Sequence, residues 1–356
     1  MADTPSEGHN NKEKYEGDFK KGIKEGKGKY YYKNGDIYEG DFKNDIKEGK
    51  GIYYYKNGDK YEGEFKNGNI EGEGIYTYKD GGKYEGNWIN GKKEGKGKFT
   101  FKNGDEYDGE WINGLKEGKG IYKYKNGDKF EGIWEKGKRK GKGILHFNNG
   151  EEYDGEFIDG KRGGKGVYTY KNGDIYDGEW KEGKREGKGA LTYKSEDKYD
   201  GQWIDGKENG KGIFTYKNGD KYDGEFKDGK REGTGTYYYK DGNRYEGGWI
   251  KGQKHGKGKF IFNNGDIYDG DFEDGKIKGE GTLTFKSGDK YVGKWEDGKK
   301  NGKGIYTFSN GYKYDGEWVN DVKQGKGEFY YGDNKKEGEK DGEKGGETGN
   351  DKTEEK

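Results

Sequence analysis

Aromatic residues and glycine alternate with charged residues along most of the chain, and the alternation returns every 23 residues. The clearest landmark is a five-residue phrase, aromatic-x-glycine-x-aromatic, of which residues 61–65 are one copy. A fixed period of this size is typical of a repeat protein, in which small identical units contact only their neighbours. Fourteen copies follow without insertion or deletion, and they begin at Tyr15, Tyr38, Tyr61, Tyr84, Tyr107, Phe130, Tyr153, Tyr176, Tyr199, Tyr222, Tyr245, Tyr268, Tyr291 and Tyr314.

Each repeat contains two short runs rich in aromatic residues, and within each run the apolar residues recur with a period of two. In the repeat that starts at Tyr38, the runs are residues 38–42 and 52–55, separated by a loop and a Gly-Lys-Gly step. A period of two bounded by glycine and asparagine predicts strands. Helices are disfavoured, because each interior glycine costs a helix about 1 kcal/mol relative to alanine. We therefore expect each repeat to be a pair of β-strands.

Asn-Gly steps mark the connection from one repeat to the next, as at 34–35, 57–58, 103–104, 126–127, 172–173 and 218–219. Asn-Gly is a strong hairpin signal because both residues tolerate positive φ. Tyr32 can share a sheet face with Tyr38 only if an odd number of residues intervenes in the turn. The sequence therefore predicts a three-residue turn such as Asn34-Gly35-Asp36, or a longer bulged one.

This register places rings on one face of the sheet and charges on the other. In the second repeat the apolar face collects Tyr38, Gly40, Phe42, Tyr53 and Tyr55, with a ring expected over the strand glycine. No helix or second sheet is available to cover this face, so we predict an all-β, elongated and twisted single antiparallel sheet, a solenoid-like rod. The predicted aromatic core includes Tyr38, Phe42, Tyr61, Phe65, Tyr84, Trp88, Tyr107, Trp111, Trp134, Tyr176, Trp180, Trp203, Trp249, Trp295 and Trp318.

The composition gives two conflicting indications of whether the chain folds. Hydrophobic residues make up 25% and charged residues 40%, values typical of disorder, but 34 Tyr, 16 Phe and 8 Trp recur in register with the repeat. We therefore expect residues 14–331 to fold as a repeat array. Residues 1–13, which hold the single proline Pro5, are predicted to be a disordered leader, and residues 332–356 a disordered charged tail.

Several function classes find little support. Lys and Arg balance Asp and Glu at 71 each, which disfavours nucleic-acid binding. The absence of cysteine excludes thiolate metal sites, and His9, His146 and His255 occupy different repeat positions. The turn carboxylates are too few for calcium, which takes about six to eight oxygens. No catalytic constellation stands out from the repeat, so we expect a cytoplasmic, non-enzymatic protein without a cofactor.

The phrase Tyr-x-Gly-x-Trp/Phe at this spacing, followed by Gly26-Lys27-Gly28 and Asn34-Gly35-Asp36, closely resembles the MORN (membrane occupation and recognition nexus) repeat. The resemblance implies hairpins in an elongated twisted sheet and a scaffold function in cortical cytoskeleton, ciliary and flagellar structures or membrane junctions. It also implies protein partners and, for some members, phosphoinositide binding. Many members have histidine before the paired glycines, whereas this chain usually has glutamate: Glu25, Glu48, Glu71, Glu94, Glu117, Glu186 and Glu232.

The loop inside each repeat suggests a second surface. Its middle copies are basic, and neighbouring loops about 10 Å apart would form one basic ridge along an edge of the sheet. Such a ridge fits an anionic lipid surface or an acidic partner, and a solvated edge that prevents aggregation is the alternative. Similarly, the rings are either structural packing or a ligand platform, and rings exposed at an end repeat would suit a homodimer. The ridge residues are Lys136, Lys138, Arg139, Lys140, Lys161, Arg162, Lys184, Arg185, Lys230 and Arg231.

Overall fold

The aromatic runs of the sequence form β-strands throughout the computed structural model, which describes residues 13–331 and 334–336. This part of the chain contains no helix, and hence none long and apolar enough to cross a membrane. The chain divides into two units, residues 1–187 and 188–356. Apart from Glu13, the predicted leader lies outside the described residues, as does the predicted tail apart from one short strand at 334–336.

The first unit holds the strands β1 (Lys14–Lys20), β2 (Ile23–Tyr31), β3 (Ile37–Lys43), β4 (Ile46–Tyr54), β5 (Lys60–Lys66), β6 (Asn69–Thr77), β7 (Lys83–Ile89), β8 (Lys92–Thr100), β9 (Glu106–Ile112), β10 (Leu115–Lys123), β11 (Lys129–Glu135), β12 (Lys138–His146), β13 (Glu152–Ile158), β14 (Lys161–Thr169) and β15 (Ile175–Lys181). The next strand, β16 (Lys184–Thr192), spans the division.

The second unit continues with β17 (Lys198–Ile204), β18 (Lys207–Thr215), β19 (Lys221–Lys227), β20 (Lys230–Tyr238), β21 (Arg244–Ile250), β22 (Gln253–Ile261), β23 (Ile267–Glu273), β24 (Lys276–Thr284), β25 (Lys290–Glu296), β26 (Lys299–Thr307), β27 (Lys313–Val319), β28 (Val322–Tyr331) and β29 (Asn334–Lys336). The last of these pairs with β28 and lies within the segment predicted to be tail.

Each strand pairs antiparallel with the next one along the chain, from β1 to β15 in the first unit and from β17 to β29 in the second. In the second repeat Tyr38 lies opposite Tyr53, and Gly40 lies opposite Gly51. Across the boundary with the first repeat, Tyr30 lies opposite Tyr38. The shared face of the rings follows from this register, and the predicted all-β antiparallel fold of about fourteen hairpin repeats is confirmed.

The turn between repeats has the predicted length but not the predicted residues. The Tyr32 amide donates to the Asp36 carbonyl at 2.9 Å, and the Gly35 amide donates to the Tyr32 carbonyl at 3.0 Å. Three residues, 33–35, therefore form the turn, with Gly35 at a φ of 93°. A type I turn followed by a left-handed residue is the usual three-residue hairpin connection. Asp36 was predicted to lie within the turn, but it closes the turn opposite Tyr32, directly before β3.

The connection inside each repeat is much tighter than the loop expected from the sequence. In the third repeat it consists of Asn67 and Gly68, with φ values of 48° and 80°, as a two-residue type I′ turn requires. The next strand therefore begins directly after the turn. In the second repeat, a bulge near Gly49 (φ 68°) then restores the pairing of β3 with β4. Because the turn is this short, Lys47, expected in a loop, lies opposite Phe42 on the aromatic face.

The glycines in the middle of the strands make room for a tyrosine ring. The Tyr38 ring lies over Gly40 and Gly51, and a Cβ at Gly51 would come within 2.5 Å of that ring. Its hydroxyl donates to the Asp41 carbonyl at 3.0 Å. A ring was expected over Gly40, and it comes from the same strand, two residues earlier. All aromatic residues of the predicted core are buried, and Tyr38 is 0% exposed.

Candidate interaction surfaces

Rings from successive repeats cover one another on one face of the sheet, here called the aromatic face. Counting the first aromatic residue of a repeat as position 1, positions 1, 5, 16 and 18 point to this face. Tyr38 meets Phe42 edge-on at 5.2 Å and Phe65 of the next repeat at 4.9 Å between ring centroids. Such pairs contribute about 0.5–1.5 kcal/mol each beyond area burial. The stacking therefore couples each repeat to the next.

The rings at positions 16 and 18 form an outer, mostly half-buried line, above the buried rings of positions 1 and 5. Tyr53 lies 4.6 Å from Tyr55 in its own strand, and Tyr55 lies 5.5 Å from Tyr76 of the next repeat. These three rings are only half-buried, whereas Tyr38 and Tyr61 below them are 0% exposed. The aromatic face therefore has a packed interior and an outer layer of rings that solvent still reaches.

Position 10 of most repeats places a cation among these rings, and we call this series the cation row. The Lys93 ammonium lies 4.3 Å from the centroid of Phe99 and 5.0 Å from that of Trp111. Ring faces attract cations, by about 2 kcal/mol or more where water is excluded. The cation row is Lys24, Lys47, Lys93, Lys116, Arg139, Arg162, Arg185, Arg231, Lys254, Lys300 and Lys323, while Ile70, Glu208 and Ile277 occupy the same position in the remaining repeats.

Burial shifts the titration of several lysines in the cation row. It lowers the pKa of Lys93 to about 8, and it lowers that of Lys254 to about 8 with a smaller contribution from Arg231. Burial, and then the charge of Arg139, lowers the pKa of Lys116 to about 8. At pH 7 these side chains still mostly carry their charge, because pH 7 lies below a pKa of about 8.

The arginines of the predicted basic ridge belong to the cation row. The Arg162 guanidinium carbon lies 4.4 Å from the Trp180 ring centroid, and Nη2 donates to the Gly183 carbonyl at 2.9 Å. Arg139 and Arg231 donate in the same way to the turn carbonyls of Gly160 and Gly252. These three arginines are half-buried on the aromatic face and do not join the lysines on the edge, because the tight turn puts position 10 in the strand.

The lysines of the predicted ridge do lie at the turn edge, together with acidic residues. Lys136, Lys138, Lys140, Lys161, Lys184 and Lys230 are exposed. Lys138 Nζ is 3.4 Å from Asp159 of the next turn, and Lys161 pairs with Glu182 in the same relation. Lys140 pairs with Glu135 across its own hairpin. The edge therefore alternates in sign, and exposed ion pairs of this kind contribute little stability.

The acidic residue that follows most of the turns between repeats, usually an aspartate, accepts hydrogen bonds from the next repeat. Asp59 accepts hydrogen bonds from the Tyr76 hydroxyl and from the Lys79 amide, both at 2.8 Å. Burial alone would raise the pKa of Asp59, but these bonds and one from Asn57 outweigh it and hold the pKa below its usual range. In the sequence, every tyrosine at position 16 of the second and later repeats follows such a carboxylate, and Gly82 precedes Phe99, which has no hydroxyl.

The glutamates at position 11 have a similar bonding function. Glu48 Oε2 accepts the amide of Asn67, the left-handed turn residue of the next repeat, at 2.9 Å. Glu71, Glu94 and Glu117 do the same for their own next turns. The chain thus uses glutamate as a turn cap where the resemblance leads one to expect histidine. No cluster of three or more metal-ligating side chains is found in the described ranges.

The cation row is the feature that sequence reasoning missed. The signal for it was present, because Asn67-Gly68, Asn90-Gly91 and Asn113-Gly114 are themselves hairpin dipeptides. Reading them as two-residue turns would have placed position 10 two residues into the strand, opposite the Phe or Trp of position 5. The Asn-Gly steps between repeats recur more often than those inside the repeats, and only the former were interpreted as tight turns.

The comparison with family models gives one result along the chain. The family model described as MORN repeat matches residues 15–37, 38–60, 61–83, 84–106, 107–129, 130–152, 153–175, 176–198, 199–221, 222–244, 245–267, 268–290, 291–311 and 314–336. No curated protein sequence matches the chain significantly.

Among solved structures, the likenesses are remote. The TCP domain of Drosophila melanogaster SAS-4 in complex with a proline-rich motif of Ana2 is 17% identical, with a TM-score of 0.29 over 44% of this chain and 87% of that chain. The wild-type TCP10 domain of Danio rerio CPAP is 10% identical, with a TM-score of 0.26 over 70% and 99%. TM-scores this low do not indicate a shared overall arrangement.

Proposed function

Because the chain belongs to the MORN repeat family, we propose that it is a non-enzymatic scaffold that binds protein partners through its aromatic face. The cation row and the outer rings would receive an extended, acidic segment of the partner. The observation that carries this proposal is the half-exposure of rings such as Tyr53 and Tyr55 directly beside the half-buried charge of Lys47, whose ammonium is 4.7 Å from the Tyr53 centroid. Apolar and cationic groups side by side suit a partner with acidic and apolar residues.

The repeat spacing defines what such a segment should look like. Neighbouring cations in the row are two strands apart, about 10 Å. A segment in the polyproline II conformation advances about 3.1 Å per residue with three residues per turn, so every third side chain lies on the same side, about 9 Å apart. An acidic residue at every third position would therefore face one cation per repeat. In the first unit Lys93, Lys116 and Arg139 present three such cations in succession, and the intervening rings could contact the residues between.

The alternative partner is a membrane of acidic phospholipids bound by the edge lysines. The pairing of Lys138 with Asp159 and of Lys161 with Glu182 speaks against it, because paired lysines would have to give up their carboxylates first. We propose a cytoplasmic, cytoskeletal, cortical or ciliary setting on the family resemblance. Homodimerisation remains a prediction that light scattering would test.

A peptide-binding experiment tests the proposed function. The probe is a fluorescein-labelled peptide with glutamate at every third position and small polar or apolar residues between. The test variant replaces Lys93, Lys116 and Arg139 by Met. The matched control replaces Lys96, Lys119 and Lys142, which are exposed, by Met and loses the same net charge. We expect the test variant to bind about tenfold more weakly or worse, while the control keeps its affinity.

Three results would contradict the proposal. Equal loss in both variants would show that only net charge matters. Absence of binding to the peptide by the natural sequence would remove the aromatic face as the site. Sedimentation with phosphatidylserine vesicles, lost when Lys138, Lys161 and Lys230 become Glu, would favour the membrane instead. Circular dichroism and thermal unfolding of every variant confirm that it remains folded.

A further inference from the structure

One repeat lacks both large side chains that fill the aromatic face elsewhere. In the repeat that begins at Tyr268, Ile277 replaces the cation of position 10 and Leu283 replaces the ring of position 16. Ile70 also interrupts the cation row, but the ring of Tyr76 remains in its repeat. Leu145 and Leu191 also replace rings, but their repeats keep Arg139 and Arg185. The double replacement occurs once in the fourteen repeats.

The double replacement opens a cavity of about 260 Å³ in the aromatic face of the second unit. We call it the notch, and it is lined chiefly by Phe262, Ile277, Leu283, Phe285, Trp295 and Lys300. The repeat that begins at Tyr84 shows what is missing.

In the repeat that begins at Tyr84, the position-16 ring of Phe99 lies 5.6 Å from Tyr78 and 6.2 Å from Trp111, and so fills the space between them. Leu283 stands at the place of Phe99, between Phe262 and Trp295, and a leucine side chain fills less of that space than a ring does. The walls of the notch are therefore ring surfaces and aliphatic groups.

We infer that the notch takes one apolar side chain, leucine or phenylalanine, of the acidic segment that binds the aromatic face, and so fixes the register of that segment. The inference rests on the proposed function. The volume decides the class of occupant, because pockets for small-molecule ligands usually span about 300–1,000 Å³. A cavity below that range suits a single side chain, and its lining suits an apolar one.

Cations on both sides of the notch indicate where the partner segment should carry acidic residues. Lys254 lies in the preceding repeat, 4.9 Å from the Phe260 centroid, and Lys300 lies in the following repeat, 4.9 Å from the Trp318 centroid. Each is one repeat from Ile277, about 10 Å, which matches one three-residue turn of a polyproline II segment. Asp321 also borders the notch, where its Oδ1 accepts the Lys300 amide at 2.9 Å. The partner sequence that fits is acidic-x-x-Leu-x-x-acidic.

Two labelled peptides test the inference on the full chain. One peptide carries Glu-x-x-Leu-x-x-Glu, and the other has alanine in place of the leucine. Serine and threonine occupy the remaining positions in both. We expect the natural sequence to prefer the leucine peptide about tenfold. Ile277→Lys, which restores the cation row, and Leu283→Tyr, which restores the ring, should abolish the preference. Ile70→Lys is the matched control, because the same change in a repeat without the notch should leave the preference intact.

The outcomes separate this inference from the proposed function. If the natural sequence binds both peptides equally, and replacing Lys254 and Lys300 by Met weakens both, the aromatic face binds acidic segments and the notch plays no part. If Leu283→Tyr and Ile277→Lys keep the full preference for leucine, the notch is likewise excluded. If neither peptide binds, both proposals fall. Loss of the preference in the two notch variants alone, with unchanged thermal unfolding, supports the inference.

Discussion

The Lys116 ammonium lies 4.2 Å from the centroid of the Trp134 ring in the next repeat. A lysine in this alternating strand pattern would ordinarily be assigned to solvent. Here it lies among four rings, because the two-residue turn places position 10 opposite position 5 on the aromatic face. The same side chain thus links two repeats and supplies charge to the surface proposed for partners.

Replacing Lys116 by Ile should lower the slope of the free energy of unfolding against pH between pH 8 and 9.5. Burial lowers the pKa of Lys116 to about 8 in the folded chain, whereas an unfolded lysine titrates near 10.4. At this side chain the unfolded state therefore binds more protons in this window, so the contribution of Lys116 to the free energy of unfolding rises with pH. The slope is at most about 1.4 kcal/mol per pH unit for each such lysine, and less with solvent screening.

Urea unfolding at several pH values measures this slope. Measurements stop at pH 9.5 because unfolded tyrosines ionise near pH 10, while burial raises the pKa of Tyr107 in the folded chain, so stability should fall at higher pH. Lys119→Ile on the opposite, exposed surface is the control and should keep the natural slope. An identical slope in Lys116→Ile and the natural sequence would contradict the prediction.

Replacing Gly51 by Ala should destabilise its repeat by about 1–3 kcal/mol, the usual range for overpacking. The new Cβ would come within 2.5 Å of the Tyr38 ring, which is 0% exposed and held by neighbouring rings. Hydrogen exchange should show the loss near β3 and β4. If Gly51→Ala unfolds at the same denaturant concentration as the natural sequence, the close ring contact is not a constraint.

Parity was sufficient to place most of the rings. The odd-length turn put Tyr32, Tyr38 and Tyr53 on one face, and their register follows that reasoning. Hydrophobic pattern alone did not place Lys47, because its position depends on the two-residue turn of Asn44 and Asp45, which sets Lys47 opposite Phe42. The bulge depends on a left-handed φ at Gly49, which side-chain polarity does not indicate. The cation row and the separation of the arginines from the edge lysines follow instead from the two-residue turn.

Replacing Tyr76 by Phe should lower the free energy of unfolding by about 0.5–1.5 kcal/mol. The hydroxyl donates to Asp59 Oδ2 at 2.8 Å, across the boundary between two repeats. Asp59→Asn should cost a similar amount, and the double variant less than the sum, because both changes remove one bond. A double-mutant cycle by urea unfolding gives this coupling. Strict additivity would show that the carboxylate and the hydroxyl do not stabilise the chain together.

Replacing Glu94 by Ala should cost about 1 kcal/mol, while Glu94→Gln should cost less. Glu94 Oε2 accepts the amide of Asn113 at 2.9 Å, and an amide oxygen can do the same, as Asn209 does for the Asp228 amide at 3.3 Å. Thermal unfolding of the two variants distinguishes the cap from a general effect of charge. Equal losses would assign the effect to charge and exclude the hydrogen bond as its cause.

Replacing Gly82 by Asn should stabilise the protein by about 0.5–1.5 kcal/mol. The template is Asn243, whose amide donates to Asp241 at 2.8 Å and whose oxygen accepts the Asn263 amide at 2.8 Å. Around Gly82, Asp80 and the Lys102 amide occupy the positions equivalent to Asp241 and the Asn263 amide. Phe99, like Phe260, has no hydroxyl that would need a carboxylate as acceptor. A Cβ at Gly82 would meet atoms no closer than 3.3 Å, and its φ is not left-handed. Gly81→Ala is the control, since a φ of 96° there should make the added side chain destabilising. A lower unfolding midpoint for Gly82→Asn would mean that the bonds between repeats depend on more than these two residues.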